Sequence, residues 1–139
     1  MDKRSLSTQL QSILSQESFV YPGNLGGLLD RAIELYPNRN GIAVPDTMLT
    51  FSEYYDRVCR MVHGLRKAGL EQNDKVLFLS QNSLHYAFIS LAVFRIGAVL
   101  VPLNPRMRHY EMAHIASETR PKFILCERNN IPTVVTVSY

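Results

Sequence analysis

Apolar residues recur at helical spacing at the start of this chain, then in two short extended runs, then at helical spacing again. Beyond that, they gather into dense apolar blocks separated by helical segments. Leu6, Leu10, Ile13 and Leu14 form a weak helical set before the turn signal Tyr21-Pro22-Gly23, so residues 1–23 are read as an N-terminal helix and linker. A stronger helix is predicted from Asn24, a good N-cap, with Leu25, Leu28, Leu29, Ala32, Ile33 and Leu35 as its apolar stripe and Pro37 as its stop. Gly41 to Val44 and Met48 to Phe51 flank Pro45-Asp46-Thr47, a pattern that predicts a small hairpin. Thr50 to Glu53 then matches a capping box, with Ser52 as an alternative cap. Tyr54, Val58, Met61, Val62 and Leu65 continue at spacings of three and four toward Gly69.

The next pattern is the most informative about fold. Lys75 to Ser80 (KVLFLS) reads as a nearly continuous apolar strand, Ser83 caps a helix through Ile96, and Ala98 to Leu103 is a second apolar strand. His109 to Thr119 reads as a helix with Tyr110, Met112, Ala113, Ile115 and Ala116 as buried positions, and Lys122 to Cys126 (KFILC) as a third strand. Strands without polar alternation belong to parallel sheets covered on both faces. The order strand, helix, strand, helix, strand therefore predicts an α/β fold with a doubly wound, mostly parallel sheet, flanking helices and right-handed crossovers. Ile131 to Tyr139 (IPTVVTVSY) is β-prone and uncharged, an edge hazard unless covered, so the sheet is expected to be incomplete.

Composition narrows this picture. A length of 139 residues permits one domain, and 46% apolar against 19% charged residues exclude intrinsic disorder. The net charge of +3 is spread over scattered Lys and Arg, which argues against a nucleic-acid surface. Tyr86 to Leu103 looks like a membrane span at first sight. A central Arg95 would cost about 2.5–3.5 kcal/mol on insertion, and Gly97 and Pro102 divide the run, so a buried helix followed by a strand is expected instead. Cys59 and Cys126 lie outside metal or disulfide spacing and are read as buried, reduced thiols, and no signal peptide is apparent; both point to the cytoplasm.

Candidate chemistry is sparse. The adjacent pair Gly26-Gly27 sits in a helix start without a strong strand before it and is read as close helix packing rather than a phosphate cradle. Gln81-Asn82-Ser83 follows a strand, where open α/β sheets bind ligands, but helix capping and turn geometry account for it. His63, His85, His109 and His114 lack neighbours at metal spacing, and Ser80 and Ser83 lack a nucleophile elbow. Two prolines make Val101-Pro102-Leu103-Asn104-Pro105-Arg106 a rigid exit from its strand.

From about Asn24 to Glu127 the chain resembles the AMP-forming acyl-CoA synthetases and their luciferase and peptide-synthetase relatives. The resemblance rests on NLGGLLDRAIELYPNRNGIAV, LTFSEYYDRVCRMVHGLRKAGLEQNDKV, SQNSLHYAFISLAVFRIGAVLVPLNPRMRHYEMAHI and KFILCE in that order. Asn73-Asp74 stands where the family usually has Gly-Asp, and Tyr110-Glu111-Met112 where Glu-Leu is typical.

The resemblance implies an ATP-dependent acid–thiol ligase for a fatty or other carboxylic acid. A carboxylate attacks the α-phosphate of ATP, and a thiol, usually that of CoA, then displaces AMP. Magnesium, ATP and CoA are the implied cofactors of the complete enzyme. The family's Ser/Thr/Gly-rich phosphate loop, adenine and ribose contacts, hinge and C-terminal lysine have no counterpart here. No catalytic, cofactor-binding or metal residue is therefore assigned, and no cofactor is expected for the chain alone. Residues 24–139 are read as a truncated N-terminal subdomain, an inactive scaffold whose partner is the rest of the ligase. The alternatives are an interaction module that pairs with a separate chain or with itself, and a small nucleotide-binding domain using the strand ends near Ser80 and Leu103. Marginal stability or self-association is expected.

Overall fold

The computed structural model describes residues 25–132 and residue 134. The helix and linker expected over 1–23, and the Asn24 cap, lie outside the described residues. Helix α1 spans Gly27–Leu35 and carries no side-chain cap, so it starts later than the apolar stripe suggests. Leu29 is its buried anchor, while Leu25 and Leu35, assigned to the stripe, are exposed. The chain then forms a hairpin of β1 (Asn40–Val44) and β2 (Thr47–Thr50), antiparallel, with Val44 opposite Thr47.

Phe51 does not end the second strand as its apolar character suggested; it opens helix α2 (Phe51–Lys67). The capping box explains the switch. Glu53 N–H donates to Thr50 Oγ1 at 3.2 Å, and Thr50 N–H donates back to Glu53 Oε2 at 2.8 Å, so Thr50 rather than Ser52 is the cap.

Strand β3 (Lys75–Leu79), helix α3 (Leu84–Ile96), strand β4 (Val99–Leu103), helix α4 (His109–Thr119) and strand β5 (Phe123–Cys126) follow in the expected order. The three strands form a parallel sheet ordered β4-β3-β5. Because β3 to β4 moves one way across the sheet and β4 to β5 moves back past β3, the two crossover helices cover opposite faces. The packing agrees: Val76 lies with Val93 and Ile96 of α3, whereas Leu77 and Leu79 lie with Met112 of α4. The fold is the α/β, doubly wound, parallel arrangement with flanking helices.

Helix α3 is apolar nearly all round because it is enclosed on several sides. Phe88 and Ala92 pack with Leu29, Tyr54 and Val58 of α1 and α2, while Val93 and Ile96 pack toward the sheet. The apparent membrane span thus resolves into α3, a left-handed Gly97 at φ 80°, and β4. Among the described residues no helix is long and apolar enough to cross a membrane.

Gly26 packs against α3, as its reading as a packing residue requires. A Cβ there would lie 2.6 Å from Arg95 Cγ and 2.8 Å from Arg95 Cα. The Arg95 guanidinium donates to Gly26 O at 3.1 Å and to Asp30 Oδ1 at 2.6 Å, and lies 4.9 Å from the centre of the Tyr55 ring. Arg95, the one charge in the apolar run, is therefore the clasp that binds α1 to α3. Asn73 has φ 68°, a left-handed conformation that Gly adopts freely and Asn better than most residues; this accounts for Asn where the resembled family usually has Gly.

Several expectations need correction. Only β3 is buried on both faces; β4 is partly exposed, with Val99 46% exposed, and all of β5 is half-buried, because each has one paired edge among the described residues. Pro102, which lacks an N–H, is tolerated in β4 for the same reason. Tyr110, expected to be buried, is 66% exposed on α4. Cys59 and Cys126 are free but half-buried rather than buried, and burial raises the Cys126 thiol above its ordinary range. After β5 a single turn of 3-10 helix (Arg128–Asn130) leads into helical Ile131 and Pro132, so the β-prone tail does not begin as a strand. Its residues 133 and 135–139 lie outside the described residues.

Candidate functional site

Beyond the carboxyl ends of the strands the chain leaves β3 toward one face of the sheet and β4 toward the other. The space between these two exits lies at the carboxyl ends of the strands, the side on which open α/β sheets bind ligands. A cleft of about 550 Å³ occupies that position. One wall is Ser80, Gln81, Asn82 and Tyr86; the other is the segment Pro102 to Arg106.

Each wall is held in place. Tyr86 stacks on Phe78 at 5.0 Å between ring centres, which fixes the first turn of α3 against β3. Ser83 caps that helix by accepting from Tyr86 N–H at 3.1 Å, and this satisfies the hydroxyl as the sequence suggested. Gln81 and Asn82 are exposed and line the cleft, so turn geometry is only part of their account. On the opposite wall Asn104 Oδ1 accepts from Arg106 N–H at 2.9 Å, an Asx turn with Pro105 at its centre. The Arg106 side chain is exposed and makes no hydrogen bond or ion pair among the described residues.

Beneath the first wall lies a feature that motif reading missed. Glu127, just past β5, accepts from the Ser80 hydroxyl at 2.6 Å and from Gln81 N–H at 3.1 Å through the same oxygen. The signal was present in the strand pattern: Leu79 pairs with Cys126, so a parallel register places Ser80 beside Glu127. Reading that signal required knowing that β5 lies next to β3 rather than β4.

The chemistry this cleft offers is recognition. It presents carboxamides, a phenol and a free guanidinium, which suit a polar or anionic group; its one hydroxyl paired with a carboxylate, Ser80 with Glu127, is buried. The four histidines lie on α2, α3 and α4, all exposed, and none lines the cleft. Among the described residues no three His, Cys, Asp or Glu side chains gather to hold a metal.

A family model described as AMP-binding enzyme matches residues 29–138, which takes in all of the sheet and both walls of the cleft. The chain belongs to this family of AMP-binding enzymes. Its relatives in the family include the peroxisomal benzoate–CoA ligase of Arabidopsis thaliana, 35% identical over 101 residues, or 73% of this chain and 17% of that protein. Among solved structures, a candidate long-chain-fatty-acid CoA ligase of Rhodopseudomonas palustris CGA009 superposes with a TM-score of 0.77 at 30% identity, covering 82% of this chain and 29% of that one. The N-terminal domain of FACL13 from Mycobacterium tuberculosis shares the fold, with a TM-score of 0.76 at 24% identity over 81% of this chain and 29% of that one. The chain spans about a fifth of the length of the curated AMP-binding relatives it matches, 17% in the benzoate ligase and 19% in another Arabidopsis thaliana relative, an acyl-activating enzyme.

Proposed function

We propose that this chain is the amino-terminal scaffold of an ATP-dependent acid–thiol ligase, which joins a fatty or other carboxylic acid to CoA through an acyl-adenylate. In this reading residues 24–139 form one subdomain of the complete enzyme, inactive by itself, and the remainder of the ligase is its partner. The observation that carries the proposal is the family match across the whole doubly wound unit, with a polar cleft at the carboxyl ends of β3 and β4.

The cleft residues fit part of the implied cofactor set. Arg106, Gln81 and Asn82 suit a phosphate-bearing end of ATP or CoA. They do not suit magnesium, since the lining has no carboxylate. The cytoplasm is the proposed location, supported by free cysteines outside any disulfide.

The test is ATP–pyrophosphate exchange with a panel of carboxylic acids. It compares the chain alone with a chimera in which the chain replaces the matching segment of a family CoA ligase. No exchange from the folded chain and exchange from the chimera is the expected result. Exchange by the chain alone would show a catalytic site within it, and a folded but inactive chimera would remove the scaffold reading.

A second reading, association with itself, is favoured by one observation: β5 has an unpaired outer edge among the described residues. Light scattering decides it, since a monomer across the micromolar range rules out a stable homodimer.

A further inference from the structure

We infer that Glu127 is a positioning residue that sets the cleft wall formed by Ser80 and Gln81. The inference rests on the reading of the cleft as a ligand site and adds to it a residue outside the lining.

After Leu79 the chain must leave the sheet, turn through Gln81 and Asn82, and enter α3 at Leu84. Regular pairing fades at this point: Glu127 N–H reaches Leu79 O at only 3.4 Å. The Glu127 side chain takes over where the ladder ends. One carboxylate oxygen receives the Ser80 hydroxyl at 2.6 Å and the Gln81 backbone N–H at 3.1 Å. For Gln81 N–H this is the one acceptor among the described residues, so the path of the turn depends on it.

Ser80 is 6% exposed and its single proton has two acceptors within reach, Glu127 Oε1 and Gln81 O at 2.9 Å. The charged oxygen is the stronger acceptor, so the proton points to Glu127. Glu127 thus joins the end of β5 to the end of β3 from below the cleft, and leaves the Gln81 and Asn82 side chains facing into it.

Two variants separate acceptor geometry from charge. E127A removes the acceptor, whereas E127Q keeps an oxygen at the same reach in a neutral group. In ligand-free chain, amide hydrogen exchange at Gln81 is expected to accelerate about tenfold or more in E127A, as loss of a charge-assisted bond implies, and by about threefold or less in E127Q. Leu77, inside β3, reports whether the fold persists and keeps its protection in both. Unchanged exchange at Gln81 in E127A, or equal acceleration in the two variants, overturns the proposal.

The ligase chimera supplies the functional arm, with ATP and CoA as the varied substrates and R106A as the reference. E127A is expected to raise KM for the substrate that R106A affects by about tenfold while kcat stays within about twofold, and E127Q to recover most of that loss. If R106A raises KM and E127A does not, the positioning role falls while the cleft reading stands. If neither variant responds, the cleft reading falls and the proposal falls with it.

Discussion

Strand β3 and the β1–β2 hairpin are both short, apolar and β-prone in sequence, yet they sit in opposite environments. Val76, Leu77, Phe78 and Leu79 of β3 are all buried, while no residue of the hairpin is. The difference comes from the number of covering layers. β3 has a strand on each side, α3 on one face and α4 on the other; the hairpin has one covered side, where Ile42 and Leu49 pack against the cluster that includes Tyr54 and Val58 of α2. Composition made the two regions look alike, and position in the fold set them apart. Local hydrophobicity says that a segment prefers burial, not how many sides will be covered.

The sharpest way to break the comparison is to cut the same kind of side chain from each region. L77A is expected to lower unfolding stability by about 2–5 kcal/mol in urea denaturation, because a fully buried leucine leaves a cavity that packed neighbours cannot fill. M48A, at a hairpin position 59% exposed, should change it by less than about 0.5 kcal/mol. Equal losses would mean that the hairpin face is covered in solution.

The boundary between the two regions is tested next, at the joint between α1 and α3. G26A is expected to cost about 1–3 kcal/mol, since the new Cβ would meet the Arg95 backbone and Cγ at under 3 Å and push α1 away. A neutral result would show that α1 moves without loss, and would place it with the hairpin rather than with the sheet.

A smaller effect is expected where the hairpin hands over to α2. T50A should cost about 1 kcal/mol through loss of the cap. It should also flatten the acid side of the stability profile. Hydrogen bonds from the Thr50 backbone, and then from its hydroxyl, hold the Glu53 carboxyl below the ordinary glutamate range. That contribution is complete above the unfolded glutamate pKa and is lost as pH falls through the lower folded value. Denaturation midpoints of wild type and T50A should therefore converge as pH drops through the acidic range. Parallel curves would mean that the Thr50 hydroxyl carries none of the dependence, leaving it to the backbone N–H that alanine retains.

Most of the fold was legible from the chain, and the reason differs by element. The capping box, Ser83 and Gly97 are local devices whose partners lie within a few residues, so their spacing revealed α2 and both ends of α3. Helix α4 matched its expected bounds, yet its face was misjudged at Tyr110, because an apolar residue on an amphipathic helix can lie beside the buried stripe. The cleft was only half legible. Gln81, Asn82 and Arg106 stood in the right segments, but turn chemistry alone explained them, and their convergence depends on which strands are neighbours. Glu127 was invisible to motif reading because its partners, Ser80 and Gln81, are distant in sequence.

What the amino-acid sequence determined by itself was the alternation of elements, the parallel sheet and the family likeness, since each follows from periodicity, caps and ordered motifs within short stretches. Only the tertiary structure decided the strand order β4-β3-β5, and with it the opposite faces taken by α3 and α4, the cleft between their strands, and the role of Glu127 beneath it. The physical reason is that strand order is settled by which faces of separate elements can be buried together, a competition among long-range contacts that no local window contains.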